Sequence, residues 1–278
     1  MKILITGHKG FIGKNMMRYL KPRHSVLGYD YRKNYFPDLK NVDVVIHLGA
    51  LTSTTNLDIK SIIDQNVNFS IRLIEQCIKK KINIQIASSA SVYGNLSDFK
   101  EESALKPESP YAVSKFLVEK FFVSLEKKKI ENYIQIFRYF NVYGENEESK
   151  LEQASPLTKF VIQSIKKKKI FLFKNSKNYL RDFIWVDDLC RIHEDFFKIK
   201  KSGIFNIGTG KATSFESIAK IISKKYKSKI VYISMPDDIK KHYQKYTRAD
   251  LKKLKEHTKI IFKSPKKYLM DLGKPRHA

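Results

Sequence analysis

Cysteine is nearly missing from this 278-residue chain, tryptophan occurs once, and only nine of its 54 basic residues are arginine. The two cysteines, Cys77 and Cys190, sit in helical or apolar stretches with no framework spacing. That excludes a disulfide scaffold; reduced thiols are expected, and no metal site. No apolar run approaches the ~18 residues that a membrane span needs. "MKILITG" enters a strand-like run at once, without the charged, apolar and cleavage regions of a signal peptide. A cytoplasmic protein without membrane contact is the expectation. The arginine shortage also bears on the formal charge of +26. Nucleic-acid recognition favours Arg clusters interleaved with aromatics, whereas here the excess is Lys, spread along nearly every segment. Even the densest run, "SIKKKKIFLF" (164–173), reads as the exposed end of a helix entering a strand. A lysine-rich solvated surface, with no nucleic-acid partner, follows.

What is present is a globular composition, 42% hydrophobic and 29% charged, long enough for one large domain or two smaller ones. Short β-branched runs at 2–6, 25–29, 43–48, 83–88 and 133–139 read as strands. Between them, 11–20, 61–80 and 111–128 carry helical periodicity. This alternation predicts an α/β fold, a parallel sheet covered by helices on both faces. The interval between the second and third strands is brief, leaving little room for a normal helix and extra strand. After residue 144 the texture is less regular: a polar loop at 145–155, a helix near 156–168, and a strand and helix over 183–198. "GIFNIGTG" (203–210) follows, then a tail from about 211, helical and Lys-rich, with a short strand at 229–234. No internal repeat or low-complexity linker interrupts the chain.

"TGHKGFIG" sets Gly7, Gly10 and Gly13 between the first strand and the first helix. Glycines there permit a tight turn and close backbone approach to a pyrophosphate, and the helix N-terminus offers free N–H groups to the anion. The spacing is G-x-x-G-x-x-G, and a purely structural glycine turn is the alternative. Asp30 ends the second strand, where a carboxylate can accept hydrogen bonds from an adenosine ribose. Tyr31, Arg32 and Lys33 follow, and a cation there would instead suit a 2′-phosphate, so NAD and NADP both stay open. "HLGA" (47–50) ends the third strand with small residues that allow close passage over a cofactor. "ASSASVYG" (87–94) ends the fourth, where Ser89 faces the site crevice, or caps local backbone. In "SPYAVSK" (109–115), Ser109 and Pro110 read as helix N-cap and first helical position. Tyr111 and Lys115, four apart, then share a helix face, and the ammonium would favour the phenolate.

A glycine turn, a strand-end serine and Tyr-x-x-x-Lys, in that order, resemble the extended short-chain dehydrogenase/reductases. "SSASVYG", "PYAVSK" and "FRYFNVYG" (137–144) look like that family's motifs. Downstream, "RDFIWVDDL" (181–189), "SGIFNIGTGKATSF" (202–215) and "HYQKYTRADLKKL" (242–254) resemble its heptose 6-epimerase branch, which acts on ADP-glycero-manno-heptose. The resemblance implies a Rossmann-like doubly wound sheet with a smaller C-terminal α/β substrate domain. Cofactor-binding segments would be 1–145 and 178–208, substrate-binding segments 146–177 and 209–278. It implies an NAD(P)-dependent nucleotide-sugar epimerase acting through transient oxidation to a ketone. A related 4-epimerase, reductase or dehydratase is the alternative, although dehydratases commonly carry an acid pair that "SSASVYG" lacks.

By the same resemblance Ser89, Tyr111, Lys115 and Lys150 are catalytic, Lys150 standing six residues beyond the glycine of "FNVYG". A tightly bound NAD or NADP would be held by Gly7, Gly10, Phe11, Ile12, Gly13, Asp30, Tyr31, Arg32, Leu48, Gly49, Ala50, Asn66 and Val142, with Tyr111 and Lys115. The nucleotide-sugar substrate would meet Ser89, Asn141, Lys159, Ser176, Arg181 and Tyr243. For Arg181 a salt bridge to Asp187 or Asp188 is the plainer alternative. The resemblance also implies a homo-oligomer. Two departures stand out: "DYRKNYFPDLKNVD" (30–43) replaces a longer stretch that includes an acidic adenine contact, and Glu152 stands where a small hydroxyl residue is usual.

Overall fold

The computed structural model describes residues 1–32, 35–52, 58–237 and 243–272, with the side chains of 149, 151 and 152 left aside. Lys33 and His242 therefore lie outside the described residues, as does the side chain of Glu152. Six strands make the main sheet: β1 (Lys2–Thr6), β2 (Ser25–Tyr29), β3 (Val44–His47), β4 (Asn83–Ser89), β5 (Ile134–Tyr139) and β9 (Gly203–Ile207). They lie in the order β2-β1-β3-β4-β5-β9, every neighbour parallel. Strand alternation divides the apolar residues between two layers. Ile3, Ile5, Val44 and Ile46 pack with α1 (Phe11–Leu20) and α6 (Val186–Asp195) on one face. Leu4, Val45, Ile84, Ile86, Ile134 and Ile136 pack with α3 (Phe69–Lys79) and α4 (Pro110–Ser124) on the other. The α/β expectation thus holds, and the short second interval has a visible consequence: β2 is a sheet edge, with Leu27 exposed.

The helix expected over 61–80 is not continuous. Its α-turns α2 (Ile59–Ile62) and α3 flank a π segment, Ile63–Asn68, where the Phe69 N–H reaches back to the Asp64 carbonyl. Within that segment polar Asn66 is buried, its side chain tied to the neighbouring loop.

Beyond residue 140, β6 (Asn141–Tyr143), β8 (Leu180–Trp185) and β10 (Ala212–Ser214) form a three-stranded sheet, and β7 (Lys169–Phe173) pairs with β11 (Lys229–Ile233). Tyr143, Leu157, Phe160, Ile170, Leu172, Phe183, Phe215 and Ile218 build a third cluster there, joined by α5 (Pro156–Lys167), α7 (Phe215–Tyr226) and α9 (Pro265–Asp271). Among the described residues, the tail is less helical than its composition suggests. Before the short α8 (Lys252–Lys255), the chain near 245–249 runs extended, because its backbone is taken by β8. Leu180 N–H donates to the Lys245 carbonyl and Thr247 N–H to the Leu180 carbonyl.

Candidate active site

The turn after β1 depends on three glycines for contact as well as conformation. Gly7 has φ +70°, and a Cβ there would fall 2.6 Å from Gly49 Cα; one at Gly13 would fall 2.1 Å from the Gly7 carbonyl oxygen. The small residues of "HLGA" therefore make room for the turn itself. Gly10, the N-cap of α1, supplies no side-chain cap, which leaves the first N–H groups of the helix to an anion.

This turn forms one end of a cleft of about 370 Å³ lined by Gly7, Gly10, Phe11, Ile12, Gly13, Asp30, Tyr31, Leu48, Gly49 and Ala50, all expected from sequence. Thr6, Thr52, Gln65, Phe69, Lys150 and Gln153 complete the lining. Arg32 belongs instead to an adjoining hollow with His8 and Lys9. Asn66 is fully buried, bracketing Leu51 through its backbone N–H (2.8 Å) and carbonyl (2.9 Å) and reaching Ser114 at 3.0 Å. Val142 packs against the first core cluster. The lining fits a dinucleotide: Asp30 Oδ2 is buried without a hydrogen bond, at the strand end where a ribose hydroxyl would donate. His8 Nδ1 lies 3.4 Å and Lys9 Nζ 3.7 Å from that oxygen. Where the longer adenine-contacting stretch is missing, Tyr29, Tyr31 and Phe36 all pack on Phe69, with ring centroids 5.8, 5.4 and 5.7 Å away.

Ser89, Tyr111 and Lys115 meet where β4 ends over the first turn of α4. Ser109 caps that helix by accepting from the Ala112 N–H at 3.2 Å, and Pro110 opens it, as the sequence predicts. Ser89 serves two ends: its Oγ accepts from the Ser91 N–H at 3.2 Å and, beside the Tyr111 phenol, acts to lower its pKa. Burial, the larger effect, pushes that phenol up to about 12. The lowering expected from Lys115 is not found, and the phenol stands above its ordinary value. Lys115 is itself buried, its Nζ donating to the Ala87 carbonyl at 2.8 Å and lying 5.8 Å from the Tyr111 ring centroid. Burial brings its ammonium down to about 8, and Glu119 opposes the fall.

Lys150 lines the dinucleotide cleft, as Ser89, Tyr111 and Lys115 do not, from a 3-10 segment, Glu147–Gln153, with its Nζ 5.8 Å from the Phe11 ring centroid. Burial lowers its pKa, Glu147 raises it and nearby Lys159 lowers it. Buried Glu147 anchors the segment by accepting from Ser155 N–H (2.6 Å), Ser155 Oγ (2.9 Å) and Thr158 Oγ1 (2.5 Å) at the start of α5. Gln153 Oε1 accepts from Thr52 Oγ1 at 2.9 Å on the cleft's other rim.

Arg181 does not pair with Asp187 or Asp188. Asp187 is bonded by Arg18, and Asp188 accepts from the Lys263 N–H. The Arg181 guanidinium donates to the Leu180 and Gln244 carbonyls and lies 5.4 and 5.5 Å from the ring centroids of Phe215 and Tyr243. Ser176, also expected at the substrate, is buried with an Oγ that finds no partner. Asn141 donates to the Asp182 carbonyl at 3.2 Å. Asp182 passed unnoticed in sequence, yet its carboxylate accepts from Thr209 N–H and Oγ1, Gly210 N–H and Ala249 N–H at 2.6–3.0 Å. It ties together the "RDF", "GTG" and "TRAD" segments.

A parallel sheet with a glycine turn at a helix N-terminus and a Ser–Tyr–Lys group at a strand end defines a dinucleotide-dependent enzyme of the Rossmann type. Residues 3–208 match the model of the NAD dependent epimerase/dehydratase family, and the chain belongs to that family. It is 36% identical over 287 aligned positions to an ADP-L-glycero-D-manno-heptose-6-epimerase of Brachyspira hyodysenteriae, covering 91% of this chain and 90% of that one. Among solved structures it resembles the Helicobacter pylori ADP-L-glycero-D-manno-heptose-6-epimerase with TM-score 0.83 and 26% identity, over 97% of this chain and 94% of that one. A UDP-glucuronic acid 4-epimerase from Bacillus cereus, solved with UDP-glucuronic acid and NAD, shares the fold at TM-score 0.80 and 24% identity, over 97% of each chain.

Proposed function

We propose that the chain is an NAD-dependent 6-epimerase of ADP-glycero-manno-heptose, working in the cytoplasm as a homo-oligomer. The observation that carries the reading is the meeting of Ser89, Tyr111 and Lys115 beside a dinucleotide cleft, in a chain so similar to heptose epimerases. NAD rather than NADP is favoured by Asp30, whose Oδ1 accepts from the Lys9 N–H at 3.5 Å while its Oδ2 has no hydrogen bond and would repel a 2′-phosphate. A nicotinamide dinucleotide held by Gly7, Gly10, Gly13 and Asp30 would supply reversible hydride transfer at the carbinol carbon.

The chain's own groups handle the proton and the orientation. Tyr111 takes the hydroxyl proton, Ser89 holds the reacting oxygen, and the Lys115 ammonium favours the phenolate against the burial that opposes it. Inversion requires the sugar to present its other face, so a second proton donor serves the second orientation. Lys150 takes that role, since its lowered pKa suits an amine that both gives and takes a proton. Arg181 holds the diphosphate through its planar fork. Asn141, Lys159, Ser176 and Tyr243 complete the substrate site, and segments 146–177 and 209–278 are assigned to it; the third apolar cluster supports that assignment for 157–172, 215–222 and 268–269, while Ala249, Leu251 and Leu254 pack with the first cluster.

The test is direct. Nucleotide released from the denatured protein is identified by chromatography, and ADP-D-glycero-manno-heptose is followed by NMR. Inversion at C6 without net NAD(P)H change is expected; stoichiometric oxidation or reduction overturns the reading in favour of a dehydrogenase or reductase. A particle of 32.5 kDa by light scattering would overturn the homo-oligomer.

A further inference from the structure

Three consecutive residues at the end of β4 each meet α4, and their partners are spaced by four. Ser89 acts on the Tyr111 phenol beside it, the Ala87 carbonyl takes the Lys115 ammonium, and Ser88 Oγ donates to Glu119 Oε1 at 2.5 Å. The first two partners are proposed catalytic groups. Glu119 is the third, one turn further along the same helix face.

Glu119 is itself buried and paired with buried Arg138 of β5, the residue in register with Ser88. Arg138 Nε and Nη2 donate to its carboxylate at 2.7–3.2 Å. Arg138 Nη1 donates to Tyr93 OH at 2.8 Å and to the Glu101 carbonyl at 3.2 Å. A buried ion pair of this kind is often no better for stability than apolar residues of equal volume. Holding β4, β5 and α4 together therefore does not require two charges. Their placement suggests what does: sealed from water, Lys115 has one hydrogen-bond acceptor, a neutral carbonyl, and Glu119 is the negative charge that acts on it. His47 on β3, buried between Thr6 and Ser70, faces the same ammonium and stays neutral, while Tyr111 flanks it on α4.

We propose that Glu119, clamped by Arg138, is a positioning residue for the active site. It keeps Lys115 in its ammonium form and fixes the strand end that carries Ser89 against the helix that carries Tyr111. The inference rests on the epimerase reading for the roles of those three groups. Burial alone would drive the Lys115 ammonium below the value near 8 that it has beside Glu119.

The test uses the full chain carrying Glu119→Gln and Arg138→Met together, which removes both charges without stranding either. Lysine is labelled at 13Cε, and the Lys115 resonance is assigned by its absence in Lys115→Arg. Surface lysines stay charged below pH 9, so a buried one that titrates earlier stands apart. The expected result is a Lys115 titration about one pH unit below wild type. Turnover of ADP-D-glycero-manno-heptose should lose its high-pH limb by the same shift, with KM unchanged. A wild-type titration in the folded double variant overturns the proposal. Should that variant not fold, Glu119→Asp retains the charge at a greater distance; a smaller downward shift is expected, and no shift overturns it. If wild type does not turn over the heptose substrate but the resonance still moves, the substrate reading fails and the positioning role stands.

Discussion

Tyr111 carries an unfavourable starting position for a base, a phenol that burial holds near 12, and it works only through its neighbours. Replacing it with Phe should lower turnover by about 10²–10⁴-fold, the usual contribution of positioned acid–base catalysis, while nucleotide released on denaturation stays stoichiometric. Lys150→Met should likewise impair turnover with cofactor retained, and unchanged kinetics would remove Lys150 from the mechanism. At this scale the sequence was most legible where chemistry and turn geometry coincide, as in the glycines, Ser89, Tyr111 and Lys115. It was silent on Glu119 and Arg138, because a Glu in a helix and an Arg in a strand look like surface charges until the sheet brings them within 2.7 Å. It also misjudged the Tyr111 environment, since spacing reveals a nearby cation and hides the depth of burial.

Among elements, the short strands and the first helix were readable from periodicity, with 2–6, 25–29 and 11–20 recovered to the residue. The extended chain before α8 was not, because its conformation answers to β8 and to Asp182 rather than to its own lysine-rich composition. Asp182→Ala should cost at least about 3 kcal/mol in urea unfolding, since charge-assisted bonds contribute 1.5–3 each and water can refill some. Loss of only a few tenths would mean that the three segments hold together without it. Gly13→Ala, which drives a methyl into the Gly7 carbonyl, should abolish nucleotide retention even where the fold survives.

For the whole molecule, two buried histidines make stability sensitive to acid. Burial depresses His47 and His193 from 6.5 to about 3. The unfolded chain binds protons below 6.5 that the folded chain refuses, so stability is full above that value and falls as pH drops toward 3. With both groups the slope approaches about 2.7 kcal/mol per pH unit. Burial raises Asp182, Asp187, Asp188, Glu101 and Glu147, which acts in the opposite sense, so a net loss of stability from pH 6.5 to 5 is the mark of the histidines. Urea midpoints at pH 7, 6 and 5 check this, and a flat series would contradict it. The parallel architecture itself was legible from the β-α alternation, whereas the edge position of β2 follows from what the 30–43 interval omits.

The π segment at Ile63–Asn68 has a genetic consequence. It is one residue more than a regular helix needs at that point, so losing a single codon there would repair the helix. The shortened chain should be the better helix and the poorer enzyme, with Asn66 rotated away from Leu51 and Ser114 and the cleft wall unbraced.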